Sequence, residues 1–585
     1  MTTFTRPGVY ASEVPLPAVA PPTGSSLSIG AFFGKASEGP TEPTYITSWR
    51  QFARLFNVSD VTSAFARGVY QAFSNGATNM YVCRVSGSTA DKAIVPTGSQ
   101  ASVPFLVEAK SPGQWGNQIS VTYTPTIDAG VAVGGGVTNK ALTSNVATLT
   151  TAAAHNLAVN DVVTIASVDA TFNGSFRVAS VPTATTFTFA KTASNVSSAS
   201  VSGGTVVKNT VVWTVDVART SSGTVYYAER FTVLTVDPDQ GRYFSNVIND
   251  PQSGSARINA LAAVADAPFA IPITVTLTDG SDDTPIASDY TDTVETFDLV
   301  EGSLLMHCTD AAYLGSDCAT INAAMTNYCA TRGDSFAVLD TPAGKTPTEA
   351  SEFGTVNSSY GAMYYPWVRI SNPSRSAVAG ASLLVPPGSA VSGMILANDR
   401  SVGPWKSPAG VSMSLAGVVS NNNIGVERLL TADDLDTLNT ATYPVNAIRP
   451  VRGQGITIMG ARTQATGAVD RYIQVRRTLN MLKQDLSVQA EFALFQPITS
   501  DLMDNLREVM SNYLDNLWSE GGLAGNTVSQ AYYVTCDGTN NTVADAAQGR
   551  LNVDVGVSLL IPAEFIVLRV GQFQGATLVS EVEAA

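Results

Sequence analysis

Two amphipathic segments near the end of the chain, followed by short apolar strands, restrict the fold more than any other feature of the sequence. From about Val469, apolar residues recur on one helical stripe, at Tyr472, Val475, Leu479, Leu482 and Leu486. A second helix is predicted to begin after Thr499 or Ser500 and to end at Gly521-Gly522, since both ends carry capping residues. Strands are predicted to follow at residues 531–537, 551–558 and 564–570. Because each element has an apolar face to bury, residues 443–571 are predicted to form one closed α/β domain.

The length and charge of the chain bound the number of domains and the kinds of partner. With 585 residues, the chain is predicted to hold three or four domains, because single cores stop growing near ~250 residues. Only 14% of the residues are charged, and 33 basic against 48 acidic residues give a net charge of -15. A general nucleic-acid binder needs an excess of Lys and Arg to neutralise phosphates. Direct binding of nucleic acid is therefore not expected.

Cysteine spacing and apolar runs argue against several other classes of protein. The five cysteines are widely spaced and include no CxxC pair, so neither a disulfide framework nor a zinc site is predicted. The sequence has no phosphate-binding loop or similar motif, and no cofactor is expected. The N-terminus lacks the regions of a secretory signal, which predicts synthesis in the cytoplasm. The longest uncharged apolar run, residues 376–398, is broken by Pro386-Pro387-Gly388, so no membrane insertion is expected.

Composition changes divide the rest of the chain into further segments. Residues 1–22 contain five prolines, which exclude a helix and predict an extended arm. Residues 23–124 are assigned to the N-terminal part of the body. Residues 125–210 are rich in Thr, Val, Ala and Ser, and their short strand candidates predict a small all-β module. Residues 211–442 alternate helices and strands, which predicts an α/β domain.

The all-β module is predicted to interrupt a sheet of the body. Its strand candidates are residues 146–150, 162–166, 176–181 and 186–190. The flanking strands, residues 119–123 and 211–217, are predicted to be neighbours in one sheet, so the module is an insertion in a loop. Base rates favour an outward-facing decorative module, and a glycan-binding or receptor role is the alternative.

Several short motifs occur in order along the chain and resemble one known family. The C-terminal set includes Gly460-Ala461-Arg462-Thr463, Tyr472-Ile473-Gln474-Val475-Arg476-Arg477, Gly521-Gly522-Leu523-Ala524-Gly525, Tyr533-Val534-Thr535-Cys536-Asp537, Asn541-Thr542 and Pro562-Ala563-Glu564-Phe565-Ile566. Further motifs lie at residues 6–10, 29–34, 109–117, 338–342 and 403–410. Together these motifs resemble the contractile tail sheath proteins of tailed bacteriophages and related injection machines. The resemblance covers nearly the whole chain except the module.

The resemblance implies a fold, a function and a set of partners. It implies an α/β (α+β) multidomain protein with a C-terminal sheath domain, a subtilisin-like middle domain without catalytic residues, and extended arms at both ends. The function implied is structural: a helical homo-polymer around a tail tube that contracts to drive the tube through the host cell envelope. The implied partners are further copies of the chain, the tail tube protein, and baseplate and tail terminator proteins at the ends. The implied location is the virion, after assembly in the host cytoplasm.

Two alternatives to a phage tail sheath stay open. The first is the sheath of a headless contractile injection device. The second is a tail-associated glycan-binding protein or hydrolase that acts through the inserted β module. A serine hydrolase would require a base beside Ser412, the candidate nucleophile, and the sequence offers only His155 and His307. His155 lies in the module and His307 in an apolar strand, so no enzymatic activity is expected.

One basic segment opposes the acidic charge of the whole chain. Between Arg449 and Lys483 there are seven basic residues against one acid. Arg476 and Lys483 are seven residues apart and therefore share a helical face, which predicts that Arg476, Arg477 and Lys483 face an acidic tube. The alternative is internal pairing with the acidic second helix.

The arms at the two ends are predicted to join neighbouring subunits. At the N-terminus the candidate contact residues are Pro7, Gly8, Val9 and Tyr10. At the C-terminus, residues 572–585 follow the last strand and supply Leu578, Val579 and Val582. Extended segments of this kind can add a strand to a sheet of another subunit.

Overall fold

The computed structural model describes residues 28–58, 61–221, 224–251, 253–264, 268–354, 356–374, 381–418, 425–467, 471–564, 572–574 and 577–579. The predicted N-terminal arm, with Pro7, Gly8, Val9 and Tyr10, lies outside these residues, as does Val582. The described part forms a mixed α/β fold with several separate cores.

The strands, in chain order, are β1 Ile29–Lys35, β2 Thr44–Ile46, β3 Met80–Val85, β4 Phe105–Ala109, β5 Ile119–Thr143, β6 Val146–Thr151, β7 Val162–Ala166, β8 Gly174–Thr183, β9 Thr186–Ala190, β10 Val196–Ser221, β11 Thr224–Leu234, β12 Ile258–Ala263, β13 Ile273–Thr276, β14 Leu304–Cys308, β15 Phe336–Asp340, β16 Gly361–Tyr365, β17 Val368–Ser371, β18 Ser382–Val385, β19 Val445–Val451, β20 Gly455–Ile458, β21 Tyr532–Thr535, β22 Asp554–Val557, β23 Gln572–Gln574 and β24 Thr577–Val579.

The α-helices are α1 Trp49–Leu55, α2 Ala64–Ser74, α3 Phe244–Ile248, α4 Ala287–Glu295, α5 Asp317–Arg332, α6 Pro347–Ser351, α7 Gly388–Ser401, α8 Ala432–Thr440, α9 Ile473–Ala490, α10 Ser500–Ser519, α11 Val528–Ala531 and α12 Val543–Ala547.

An eight-stranded sheet organises the central domain, which comprises residues 28–85 and 287–467. Its strand order is β2-β3-β1-β14-β15-β16-β19-β20, and the six strands from β3 to β19 run parallel. The two edge strands run antiparallel to their neighbours: β2 pairs with β3, and β20 pairs with β19. Strand β1 is an unbroken apolar run with Phe32 on one face and Phe33 on the other, both fully buried. Such runs are typical of parallel strands covered on both faces.

Helices cover both faces of the central sheet. On one face, α1, α2 and α7 contribute Phe52, Phe65 and Val391 to the first core. On the other face, α4, α5, α6 and α8 contribute side chains such as Tyr290, Ile321 and Leu438 to the second core. The result is a three-layer α/β/α arrangement, as alternating helices and strands require.

The central sheet combines distant parts of the sequence. Strand β1 lies between β3 and β14, and Ile29 is in register with Leu304. Strands β19 and β20, which fall within the predicted segment 443–571, also belong to this sheet. Strands from the predicted segments 23–124, 211–442 and 443–571 thus share this sheet, because sequence patterns locate strands but not their neighbours.

A second eight-stranded sheet fills the interval between β3 and β14. Its order is β11-β10-β7-β8-β9-β6-β5-β13. The predicted neighbours 119–123 and 211–217 are confirmed, since Val121 pairs with Val217 and Tyr123 with Val215. The predicted strands at 146–150, 162–166, 176–181 and 186–190 correspond to β6, β7, β8 and β9. What the sequence did not predict is the length of β5 and β10, which have 25 and 26 residues.

These two long strands connect two separate cores. One core lies at the start of β5 and the end of β10. It includes Val121, Trp213 and Val217, together with residues of β4, α3 and β12. The other core, with Leu149, Val163 and Phe187, lies among β6 to β9. Between the cores, residues 126–132 of β5 pair with residues 207–212 of β10 in a segment called the stalk below, and residues 207–209 of β10 also pair with β7. Its side chains are largely solvated, and Val131 is 74% exposed.

Bulges interrupt the pairing of the two strands along the stalk and just beyond it. The register shifts between Lys208 and Thr210, opposite Gly130, and again opposite Gly134, Gly135 and Gly136. These three glycines have φ of 71°, 65° and 104°, which residues with a side chain rarely adopt. A Cβ at Gly130 would lie 1.6 Å from the carbonyl oxygen of Lys208. Glycine is therefore required where the two backbones approach each other.

Buried charged side chains connect strand β10 and the segment before β12 to the central domain. Glu38, which follows β1, is 1% exposed and accepts hydrogen bonds from Arg219 of β10 and from Arg257, just before β12. Arg257 also donates through Nη2 to the carbonyl of Arg54, at 2.6 Å. A buried carboxylate with two arginine partners is compensated, and losing one partner would leave an unpaired buried charge.

The C-terminal domain, residues 471–564, contains α9 to α12 and the β21–β22 pair. The predicted helices correspond to α9 and α10, and Thr499 caps α10 as expected. The strand predicted at 531–537 is β21, preceded by the short α11, while 551–558 contains only the four-residue β22. The strand predicted at 564–570 lies outside the described residues apart from Glu564. Strands β23 and β24 form a hairpin in which Phe573 is opposite Leu578.

Candidate functional site

Helix α9 joins the central domain to the C-terminal domain through a buried ion pair. Arg477 donates through Nη1 to Oδ1 of Asp399 at 2.8 Å, and through Nη2 to the second carboxylate oxygen. Asp399 belongs to α7, and the two side chains are 1–2% exposed. Nearby, Nδ2 of Asn480 donates to the carbonyl of Ser335 at 3.0 Å. These contacts form the α9 joint, and its charges are too buried to be separated at small cost.

Arg476 and Lys483, the other two candidate tube contacts, share one aromatic partner. The guanidinium carbon of Arg476 lies 4.7 Å from the ring centroid of Tyr360, and Nη1 is 3.3 Å from its hydroxyl. The Lys483 ammonium is also 3.3 Å from that hydroxyl, but Lys483 is exposed whereas Arg476 is buried. The predicted surface patch is therefore corrected: Arg476 and Arg477 are engaged inside the subunit, and Lys483 is the exposed member of the three.

The internal partners of the two arginines differ from those predicted. The sequence suggested the acidic second helix, but Asp399 comes from α7 and Tyr360 from the turn before β16. Sequence distance hides these partners, since Arg477 and Asp399 are 78 residues apart. Their signal in the sequence is a pair of arginines within a helix that also carries an apolar stripe, which indicates buried partners as readily as exposed ones.

The second half of α9 packs against α10. Met481 and Leu482 meet Tyr513, Leu514 and Leu517, and Trp405 from the central domain completes this core. The hydroxyl of Tyr513 donates to Asp485, and burial together with this carboxylate raises the pKa of Tyr513. The apolar face of α10 is thereby covered. Its outer face carries Asp501, Asp504 and Glu508, all exposed.

Two motifs that are separate in sequence meet beside α9. Arg462 donates through Nε and Nη2 to the two carboxylate oxygens of Glu564, at 2.7 and 2.8 Å. The hydroxyl of Tyr472 is 3.1 Å from the same carboxylate. A bidentate pair fixes geometry as well as charge. The turn at 460–463, the start of the long helix and the segment at 562–564 thus form one structural unit.

A buried polar cluster in the central domain contains one of the two histidines. His307 Nε2 is 2.9 Å from Oγ of Ser389 and 3.7 Å from Oδ2 of Asp340, while Nδ1 lies 3.0 Å from the Val338 carbonyl. Burial lowers the pKa of His307 to about 4 and raises the pKa of Asp340 to about 8. All three side chains are at most 3% exposed, so no substrate reaches this cluster in this conformation.

The serine and histidine considered as a nucleophile and base lie apart. Ser412 is exposed in the segment between α7 and α8, whereas His307 hydrogen-bonds Ser389 instead. His155 lies in the core among β6 to β9, where its Nδ1 accepts from the backbone N–H of Leu157 at 3.0 Å. The described residues include no group of three or more His, Cys, Asp or Glu side chains placed to hold a metal ion.

A cleft of about 540 Å³ lies at the carboxyl ends of β1, β3 and β14. Its charged lining residues are of both signs and include Lys35, Arg84, Asp282 and Asp310. Asp310 accepts from the backbone N–H of Lys35 and from the Tyr290 hydroxyl, and burial raises its pKa to about 6. Because the acidic and basic groups largely compensate each other, the cleft favours no ligand of one charge. None of the helices in the described part of the chain has the length and apolar character needed to cross a bilayer.

Comparison with known proteins finds a family match for the C-terminal domain. Residues 469–573 match the family model described as phage tail sheath C-terminal domain. A tail sheath protein of Vibrio phage KVP40 is 32% identical over 162 residues, which make up 27% of this chain and 22% of that protein. The chain thus matches about a fifth of the length of this curated relative.

Two solved structures also resemble the chain over most of its length. The PVC sheath complex of an extracellular contractile injection system, in its contracted state, is 18% identical with a TM-score of 0.48, covering 98% of this chain and 99% of that chain. The sheath tail protein of Desulfitobacterium hafniense is 13% identical with a TM-score of 0.46, covering 91% and 94%. The assignment itself rests on the sequence matches: residues 469–573, which contain α9, α10 and the β21–β22 pair, match the phage tail sheath C-terminal domain family, and a stretch of 162 residues is similar to a tail sheath protein.

Proposed function

We propose that this chain is the structural subunit of a contractile tail sheath, which polymerises helically around a tail tube and shortens to drive the tube through the host cell envelope. The observation that carries the proposal is the family match of residues 469–573. The buried ion pair of the α9 joint supports it, since force applied to the C-terminal domain reaches the central domain through a rigid contact. The role is structural and requires no catalysis.

The proposed partners are those of a sheath within a virion. Further copies of the chain form the polymer, the tail tube protein lies inside it, and baseplate and tail terminator proteins lie at its ends. Assembly is proposed to occur in the host cytoplasm. Lys483 is the proposed tube contact, because it is exposed and its ammonium is available to an acidic partner. Exposed pairs of this kind contribute about 0.2–1 kcal/mol each, so contraction can break them.

The arms are proposed to join neighbouring copies by strand addition. The candidate residues are Pro7, Gly8, Val9 and Tyr10 at one end and Leu578, Val579 and Val582 at the other. The β21–β22 pair supports this, since among the described residues it has two strands only and both outer edges can accept another strand. Four or five backbone hydrogen bonds per arm, at roughly 0.5–1.5 kcal/mol each, would outlast the weaker contacts during contraction.

Two further domain assignments belong to the proposal. The central domain is proposed to be the subtilisin-like domain without catalytic residues. Strands β6 to β9 are proposed to be an inserted all-β module that faces outward and is not needed for assembly. The separate core of these strands and the solvated stalk beneath them support this assignment.

Negative-stain electron microscopy of the purified protein tests the function. Tubular polymers are expected for the intact chain, and folded subunits without tubes are expected when residues 1–17 are deleted. In the presence of the tube protein, Lys483→Glu should reduce attachment, whereas Lys110→Glu, at an exposed lysine that follows β4, should not. A persistently monomeric protein with hydrolytic activity would contradict the sheath assignment.

A further inference from the structure

Two helical faces of this chain carry opposite charge and lie in different domains. Helices α1, α2 and α7 form one layer of the central domain and contain Arg50, Arg54, Arg67 and Arg400. Their single acid is Asp399, which is buried against Arg477. Helix α10 shows the reverse, with four acids, at 501, 504, 508 and 515, and one base, Arg507. The contrast is pronounced in a chain of which only 14% is charged.

The basic face consists of Arg50 and Arg54. The two residues are one helical turn apart on α1 and both are exposed, while Phe52 is fully buried against α2 on the opposite side. Among the described residues, no hydrogen bond or ion pair engages either guanidinium group. With respect to the described part of the chain, two adjacent arginines without a partner thus point into solvent.

The acidic face consists of Asp501, Asp504 and Glu508. Their spacing places them on one side of α10, opposite the buried Leu502, Leu506 and Met510. Asp504 is 62% exposed and pairs with Arg507 at 2.6 Å, whereas no ion pair within the described chain engages Asp501 or Glu508. Asp501 also lies in the first turn, where the helix dipole favours a negative charge. The excess of this face is therefore about two negative charges, which matches the two arginines of α1.

The two faces cannot satisfy each other within one subunit. Helix α1 packs on α2 and β2, and α10 packs on α9, α11 and β21, so the faces belong to different bodies of the molecule. We infer that the basic face of α1 in one copy docks against the acidic face of α10 in a second copy. This contact uses two different patches, and a contact of that type repeats head to tail, as a ring or as an open helical array, instead of closing as a pair. The inference rests on the proposed function and specifies one contact of the polymer.

Charge reversal with recombination tests the contact. Arg50→Glu with Arg54→Glu, and separately Asp501→Lys with Glu508→Lys, should each raise the critical concentration for polymerisation roughly tenfold, because two exposed pairs become repulsive. The variant with all four changes should return to within about twofold of the unmodified protein, because the reversed charges attract again. The critical concentration is measured by sedimentation and light scattering at low salt, and raising the salt should weaken assembly of the unmodified protein.

A matched control separates this contact from a general effect of charge. Asp433→Lys with Asp436→Lys reverses two exposed acids on α8, one of them also in a first helical turn, on the other face of the central sheet. This control should leave the critical concentration within about twofold of normal. Circular dichroism verifies that each variant is folded.

Three outcomes are distinguishable. If the unmodified protein forms no polymer at any concentration, the proposed function and this inference both fail. If the unmodified protein polymerises but the four-change variant assembles no better than either two-change variant, the inference alone is overturned. It is likewise overturned if Asp501→Lys with Glu508→Lys abolishes only attachment to the tube, since α10 would then face the tube.

Discussion

The α9 joint and the stalk connect neighbouring parts of the same chain in opposite ways. At the α9 joint, side chains from α7 and α9 meet in the interior, and a buried ion pair fixes their positions. At the stalk, two backbones are paired, but the side chains are largely solvated and glycine bulges interrupt the ladder. A buried charge pair transmits displacement because separating it is costly. A solvated ribbon of this kind transmits less, because few apolar contacts resist bending, and the one further contact beside it among the described cation–π pairs is that of Arg177 over the ring of Phe269.

The largest effect is expected at the α9 joint. Replacing Asp399 with Ala leaves Arg477 buried without its partner, which should lower the free energy of unfolding by about 3–5 kcal/mol. Urea denaturation followed by circular dichroism measures this loss. Asp399→Leu combined with Arg477→Met should recover most of the stability, since an apolar pair has no charge to desolvate. A loss below about 1 kcal/mol for Asp399→Ala would show that the joint is not held by this pair.

A smaller and local effect is expected at the stalk. In Gly130→Ala the new Cβ would lie 1.6 Å from the Lys208 carbonyl oxygen, so the strands must separate, at a cost of about 1–3 kcal/mol. Hydrogen exchange should accelerate at the amides of β6 to β9 and remain unchanged in the central sheet. Gly98→Ala, where no atom lies within 4 Å of the added Cβ, is the control. Faster exchange throughout the central sheet would mean that the stalk couples the two parts.

The buried polar cluster of His307, Ser389 and Asp340 predicts a pH dependence of stability that is confined to the central domain. Burial raises the pKa of Asp340 to about 8, above its unfolded value, so the folded state holds this proton more tightly and loses stability as pH rises towards 8. His307, with its pKa lowered to about 4, has the opposite effect between pH 4 and its unfolded value near ~6.5. Of these two groups, only Asp340 contributes to the pH dependence between about pH 6.5 and 8. The free energy of unfolding should therefore fall by about 1–2 kcal/mol over this range.

Urea denaturation at several pH values measures this fall. Asp340→Asn keeps the shape of the side chain but has no proton to lose, so its stability should not change between pH 6.5 and 8. Hydrogen exchange in β6 to β9, corrected for the intrinsic effect of pH, should be the same in both proteins. An unchanged slope in Asp340→Asn would assign the pH dependence to other groups.

The smallest effect on the stability of the rest of the chain is expected from removing strands β6 to β9, which lie beyond the stalk. Replacing residues 134–204 with a short Gly/Ser linker should leave the free energy of unfolding of the remainder within about 0.5 kcal/mol of its value in the intact chain. The physical reason is that β6 to β9 have their own core, separate from that of β4, α3 and β12. Loss of solubility or of assembly in this deletion would show that these strands stabilise the body.

Local patterns in the sequence predicted elements better than they predicted neighbours. The stripe of Leu479 and Leu482 located α9, and Thr499 located the start of α10, because periodicity and capping depend on nearby residues. The strands β6 to β9 were found for the same reason. In contrast, the position of β1 between β3 and β14 depends on residues 275 positions apart, and no local signal specifies it.

The candidate site illustrates the same limit. The sequence singled out the basic run around Arg476 and Arg477, but charge alone does not distinguish a buried pair from an exposed patch. The deciding partners, Asp399 and Tyr360, come from other elements. Lys483 is exposed although its ammonium also contacts Tyr360, and a helical pattern alone does not show which side chains a neighbouring domain covers.

The placement of β1 beside β14 has a consequence for the order in which the protein can fold during synthesis. Ile29 pairs with Leu304, and at about 5–20 residues per second the ribosome needs roughly 15–55 s to make the intervening chain. For that time the apolar β1 has β3 but not β14 as a neighbour, and one side of a strand meant for the centre of a sheet is uncovered. The strands from β4 to β13 have all emerged before β14 and can fold on their own core. We therefore expect ribosome-bound chains that stop between residues 278 and 303 to bind chaperones through β1, and chains that extend past residue 340 to release them.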